Sequence, residues 1–92
     1  MSDVTTLSVR TFRAGTDKEA ALKPLEEAAE VYGEWQILPV FPDGTREGTE
    51  YLADELADTI TACCNLAARY GLDLQDAIDR VERRNRERGR YE

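Results

Sequence analysis

Apolar residues recur at helical spacing in three stretches of this chain, and that periodicity predicts an all-α fold. At about 100° per residue, Ala21, Pro24, Leu25, Ala28, Val31, Tyr32 and Trp35 share one arc of a first helix. Thr16 precedes it as N-cap, with Glu19 three residues on completing a capping box, and the pattern runs to Gln36. Pro24 leaves two options: a helix kinked at that residue, or a main helix that begins there with Pro24 as its first residue. Leu52, Leu56, Ile60, Cys63, Leu66 and Ala67 form the apolar arc of a second helix, from Thr49 to Tyr70 before Gly71. A shorter third helix starts behind Asp73 as N-cap, carries Leu74, Ala77, Ile78 and Val81 on one face, and runs into an arginine-rich end. Between the first two, Ile37 to Gly48 reads as a loop with a turn at Pro42-Asp43-Gly44. Residues 1–15 form either a short extended arm that packs on a partner or a disordered segment.

The predicted architecture is therefore two long antiparallel helices plus a shorter C-terminal helix. The apolar arcs of the long helices each cover nearly half the circumference, more than one hairpin can bury. Exposed patches of that size mark an interface, so the expected assembly is a homodimer that completes a four-helix bundle, or a dimer of such dimers.

The polar positions add chemistry. Glu27 and Glu30 stand three apart on the first helix, and the same spacing returns as Glu55 and Asp58 on the second. In each case the acid stripe borders the apolar arc, whereas a purely solubilising stripe would lie opposite it. Either pair alone is what an acidic helix shows to solvent. Two pairs brought to one edge of a helical seam would repel and raise one another's pKa unless a cation neutralised them. With no histidine in the chain, an all-carboxylate site suits Mg²⁺ or Mn²⁺ rather than zinc. Magnesium held in this way keeps positions that a substrate's phosphates commonly fill. Glu34 shares the stripe of Glu27 and Glu30, and Tyr51 lies beside the acids of the second helix.

Composition narrows the range of partners. The 92 residues allow one small domain, and a formal charge of −7 argues against a general nucleic-acid binder. Six of the 12 basic residues are the arginines between Arg80 and Arg90, so an acidic body carries a basic end. Adjacent Cys63 and Cys64 are poorly placed to bridge each other and lack a zinc or redox spacing, which reads as small core residues in a reducing compartment. No apolar run reaches membrane-spanning length and the N-terminus lacks a signal-peptide core, so the expected location is the cytoplasm, with no membrane partner.

Taken in order, several segments resemble the MazG-like all-alpha nucleoside triphosphate pyrophosphohydrolases. Lys23-Pro24-Leu25-Glu26-Glu27-Ala28-Ala29-Glu30 is similar to the opening Lys-x-x-Glu-Glu-x-x-Glu of that family, and Glu55-Leu56-Ala57-Asp58 to its ExxD segment. An apolar stretch, then Tyr70-Gly71-Leu72-Asp73-Leu74, and the ending Asn85-Arg86-Glu87-Arg88 follow at matching distances. The resemblance implies a helical domain over 16–92 in which Glu27, Glu30, Glu55 and Asp58 bind Mg²⁺ and serve catalysis. It also implies that Asn85 and Arg88 hold phosphates or the neighbouring helix, with Lys23 as a further candidate substrate contact; Tyr51, placed beside the acids by helical geometry, is another, through stacking on a base. The implied reaction is hydrolysis of a (deoxy)nucleoside triphosphate to the monophosphate and pyrophosphate, in the service of the nucleotide pool. Two other functions fit the same chain: a phosphoribosyl-ATP pyrophosphohydrolase, and a non-catalytic helical interaction dimer.

Overall fold

Thr16 opens the first helix as its sequence predicts, with its hydroxyl accepting the Glu19 N–H at 3.2 Å. The computed structural model describes residues 6–13, 15–38 and 46–92, the side chains of 46–48 excepted. Helix α1 spans Asp17–Ile37, α2 spans Arg46–Arg69 and α3 spans Leu74–Glu87, and no strand occurs among the described residues. The expected Pro42-Asp43-Gly44 turn lies outside the described residues, and α2 begins three residues before the predicted Thr49.

Pro24 does not interrupt α1, so the helix is one continuous element and does not start at the proline. With no N–H on Pro24, the carbonyl of buried Ala20 lacks its usual helical donor. Glycine caps end the other two helices. Beyond α2, the Leu72 N–H reaches the Ala67 carbonyl at 2.9 Å and the Gly71 N–H the Ala68 carbonyl at 3.2 Å, a Schellman motif centred on Gly71 at φ +63°. The same pair of bonds recurs at the end of α3, from Arg90 to Asn85 and from Gly89 to Arg86, with Gly89 at φ +71°. Asp73 caps the start of α3 by accepting the Asp76 N–H at 2.9 Å.

Packing between helices is almost entirely α1 on α2. The residues of reduced exposure on α1 that face it are Ala20, Pro24, Glu27, Val31, Glu34 and Leu38, and on α2 Leu52, Glu55, Thr59, Ala62, Leu66 and Arg69. Both series step by three and four residues, the spacing of a coiled-coil seam. The hairpin is antiparallel: Arg69 at the end of α2 donates to Asp17 Oδ1 at 2.6 Å and to the Gly15 carbonyl at 2.9 Å, both at the start of α1. The unstructured arm, residues 6–13, runs along α2, where the Phe12 N–H donates to Asn65 Oδ1 at 2.8 Å.

The apolar arcs do not meet through their middles. They meet instead along the acid-bearing edge of each arc, where small Ala20 and Ala62 let the backbones approach. Leu25, Tyr32 and Trp35 on α1, and Leu56 and Ile60 on α2, are left exposed. Tyr32 and Trp35 stack on each other at the surface, with ring centroids 5.7 Å apart, rather than entering a core. Cys63 is likewise exposed and Cys64 half-buried, so neither is a core residue of the hairpin. The only buried apolar residues described are Ala20, Ala62 and Ala67. A radius of gyration of 15.6 Å exceeds the roughly 12 Å of a compact domain of this length, because α3 stands off the hairpin with Ile78 and Val81 exposed.

Arg69 is the tie that closes the hairpin at the end away from its loop. Arg69→Ala is expected to lower unfolding free energy by about 1–2 kcal/mol, since it removes a charge-assisted bond and a bond to a backbone carbonyl. Asp17 is largely exposed, so Asp17→Ala should cost only about 0.5 kcal/mol. Urea denaturation of both variants checks the ordering.

Candidate metal centre

Three carboxylates from the two helices converge in the seam. One oxygen each of Glu27, Glu55 and Asp58 lies within 4.8 Å of the other two. Octahedral ligands about 2.1 Å from Mg²⁺ stand roughly 3.0–4.2 Å apart, a contraction that side-chain torsions can supply. Glu27 is buried, at 8% exposure, because the seam that holds the hairpin together runs over it. Glu55 is half-buried and Asp58 faces solvent, so the cluster is closed on the α1 side and open on the other.

The strongest sign that the cluster is built to hold something is a pair of unpaired acceptors. Glu27 Oε2 and Glu55 Oε2 are both shielded from solvent and, as carboxylate oxygens, have no hydrogen-bond partner. A buried carboxylate without donors is costly unless a cation or a proton compensates it. Among the described residues the cation paired with these acids is Lys23, whose Nζ lies 3.2 Å from Glu27 Oε1 and 3.7 Å from Glu26 Oε2. The bond to Glu27 holds the Lys23 ammonium above its ordinary pKa. Lys23 satisfies one oxygen of Glu27 and leaves the other for the cluster.

The same crowding favours a proton on Glu55. Glu30 approaches Glu55 closely enough to share one, and this hydrogen bond is the largest cause raising the Glu55 carboxyl to about 7. Desolvation and the charges of Glu30, Asp58 and Glu27 push in the same direction. Three of the four acids expected at the site meet in the cluster, and Glu30 lies against Glu55 beside it. Oxygen-only donors, two of them orphaned and shielded, fit a hard divalent cation. Glu34 is half-buried in the seam outside the cluster, and Tyr51 is exposed one turn before Glu55. Asn85 and Arg88 lie at the far end of α3, outside the cluster in a single chain. The Asn85 carbonyl and the Arg88 backbone belong to the helix-ending turn.

Sequence reasoning passed over Asn65 and Arg69. Both continue the stripe of Asp58 along α2 at seven and eleven residues, so polar side chains at that spacing were the available signal. Comparison of the chain with protein-family models, with curated proteins and with solved structures returned no match.

The raised Glu55 carboxyl sets a pH dependence. Folding favours its protonated form, so this contribution to stability is full below about 4.5 and is lost as pH rises through about 7. A divalent cation competes with that proton and should show the opposite trend. The rise in Tm on adding Mg²⁺ is therefore expected to be larger at pH 8 than at pH 6. Glu55→Gln should abolish the difference, which differential scanning fluorimetry across pH would read directly.

Proposed function

We propose that the chain is a Mg²⁺-dependent nucleoside triphosphate pyrophosphohydrolase of the MazG-like all-alpha kind, active as a homodimer or a dimer of dimers. The observation that carries this reading is the three-carboxylate cluster with its two shielded, unpartnered oxygens. The order of the acidic segments, Tyr70-Gly71-Leu72-Asp73 and Asn85-Arg86-Glu87-Arg88, resembles that family and supports the choice of reaction.

In this reading Glu27, Glu55 and Asp58 hold the cation, with Mn²⁺ able to replace Mg²⁺. When bound, Mg²⁺ supplies charge neutralisation for a triphosphate and lowers the pKa of a coordinated water. Water oxygen bonds to phosphorus, the bridge between the α and β phosphates breaks, and the products are a nucleoside monophosphate and pyrophosphate. Glu30 lies outside the cluster but in hydrogen-bond contact with Glu55, and we assign it the proton lost by the water. Glu30 is the largest cause raising the Glu55 carboxyl to about 7, which places the two carboxyls close enough to pass a proton between them. Lys23 offers a cation to phosphate oxygens beside the cluster. Asn85 and Arg88 are assigned to phosphate contacts formed on assembly, as the fork of an arginine suits them.

The dimer follows from what one chain leaves uncovered. Leu25, Tyr32, Trp35, Leu56 and Ile60 form wide exposed arcs on a hairpin whose buried apolar residues are alanines. Covering those arcs with a second copy would supply the core that the single chain lacks. The same arcs support one other reading, a helical dimer without catalysis.

A pyrophosphate-release assay over canonical and modified dNTPs and NTPs separates the two. Release of pyrophosphate and monophosphate with Mg²⁺ or Mn²⁺, abolished by chelator, is expected. Glu55→Gln and Asp58→Asn should each reduce turnover by about 10²-fold or more, and full activity in both would refute the assigned site. Sedimentation should find a dimer or larger assembly, and Trp35→Glu should shift it towards monomer.

A further inference from the structure

A groove of about 1060 Å³ opens between residues 11–13 of the arm, the first half of α1 and the second half of α2. Glu27 and Asp58 line it, so it is continuous with the carboxylate cluster. Two helical turns beyond Asp58, about 10 Å along the axis, the groove is lined by Asn65 and by the exposed residue Phe12. One end of this groove is acidic. The other offers an aromatic face and an amide, beside the Arg69–Asp17 ion pair.

The orientation of that amide is fixed by the arm. A backbone N–H can only donate, so the Phe12 N–H at 2.8 Å identifies the Asn65 atom facing the arm as Oδ1. The Nδ2 end, with two N–H donors, makes no hydrogen bond to any described residue. In a groove leading from a phosphate-binding centre, such a group complements an acceptor on the non-phosphate part of the substrate.

We propose that this groove receives the sugar and base of the nucleotide cleaved at the carboxylate cluster, and that Asn65 donates to a carbonyl oxygen on the edge of the base. The inference rests on the hydrolase reading above. Phe12 supplies the stacking face, which any base accepts, so discrimination falls to Asn65. Uracil, thymine, cytosine and guanine carry a carbonyl and adenine does not. Where guanine presents that carbonyl, adenine carries an amino group that only donates, so a bound adenine covers the half-buried Asn65 amide with a second donor, which penalises its nucleotides.

The test compares kcat and KM for dUTP, dCTP, dGTP and dATP in the wild type, Asn65→Asp and Phe12→Ala. Asn65→Asp keeps an oxygen for the Phe12 N–H and replaces the donor end with an acceptor. The wild type should favour carbonyl-bearing nucleotides over dATP by at least about tenfold in kcat/KM. Asn65→Asp should erase that preference through KM, with the Mg²⁺-induced rise in Tm retained. Phe12→Ala should raise KM about tenfold for every nucleotide that turns over. Equal use of all four nucleotides by the wild type, or an unchanged preference in Asn65→Asp, would overturn the base subsite while leaving the hydrolase standing. An unchanged KM in Phe12→Ala would remove the stacking role. Absence of turnover by the wild type would overturn the hydrolase reading, and the subsite with it.

Discussion

Repulsion between carboxylates governs this hairpin. Glu27 and Glu55 sit within the seam that joins α1 to α2, Glu30 and Asp58 stand beside it, and two shielded oxygens have no donor. An ordinary helical hairpin would place leucines at such positions. Here the seam is closed by alanines, a few half-buried aliphatics and the Arg69 tie at one end, while its centre is electrostatically unfavourable until a proton or a cation arrives. The crowding of Glu30, Asp58 and Glu27 around Glu55 raises its carboxyl, so protonation of Glu55 relieves part of that load. The groups that crowd the seam are thus also the groups that set its stability.

The acid-lined seam also explains why so much apolar surface faces outward. Each long helix has one broad apolar arc, and only its edge is used within the chain. A hairpin rotated to bury both arcs would point the acids away from each other and dismantle the cluster. Bringing the carboxylates together therefore leaves Leu25, Tyr32, Trp35, Leu56 and Ile60 uncovered.

Helical periodicity and caps made most of the fold legible from sequence. Thr16, Asp73 and Gly71 mark their helix ends as expected, because each acts through bonds to neighbours within five residues. The convergence of Glu27, Glu30, Glu55 and Asp58 was also readable, since two equal spacings on two antiparallel helices confine the acids to one stripe each. The rotation of the helices about their own axes was not. It depends on whether small residues at the edge of an arc or large ones at its centre make the closer contact, and periodicity weights both alike. The arm was illegible for a related reason: its hold on α2 is a backbone N–H of Phe12 meeting Asn65, fifty-three residues away, and a backbone group carries no sequence signature.

Asp58, Asn65 and Arg69 occupy one stripe of a single rigid helix. Asp58 belongs to the carboxylate cluster, Asn65 holds the arm, and Arg69 fastens the start of α1. A rotation of α2 by even part of a turn would move all three together, so cluster geometry, groove shape and hairpin closure have no independent adjustment. Substitutions that turn this helix should show strong epistasis across sites two to three turns apart. The arm is the wall of that groove that belongs to neither helix of the seam, so substitutions on it alter the lining of the groove without turning α1 or α2.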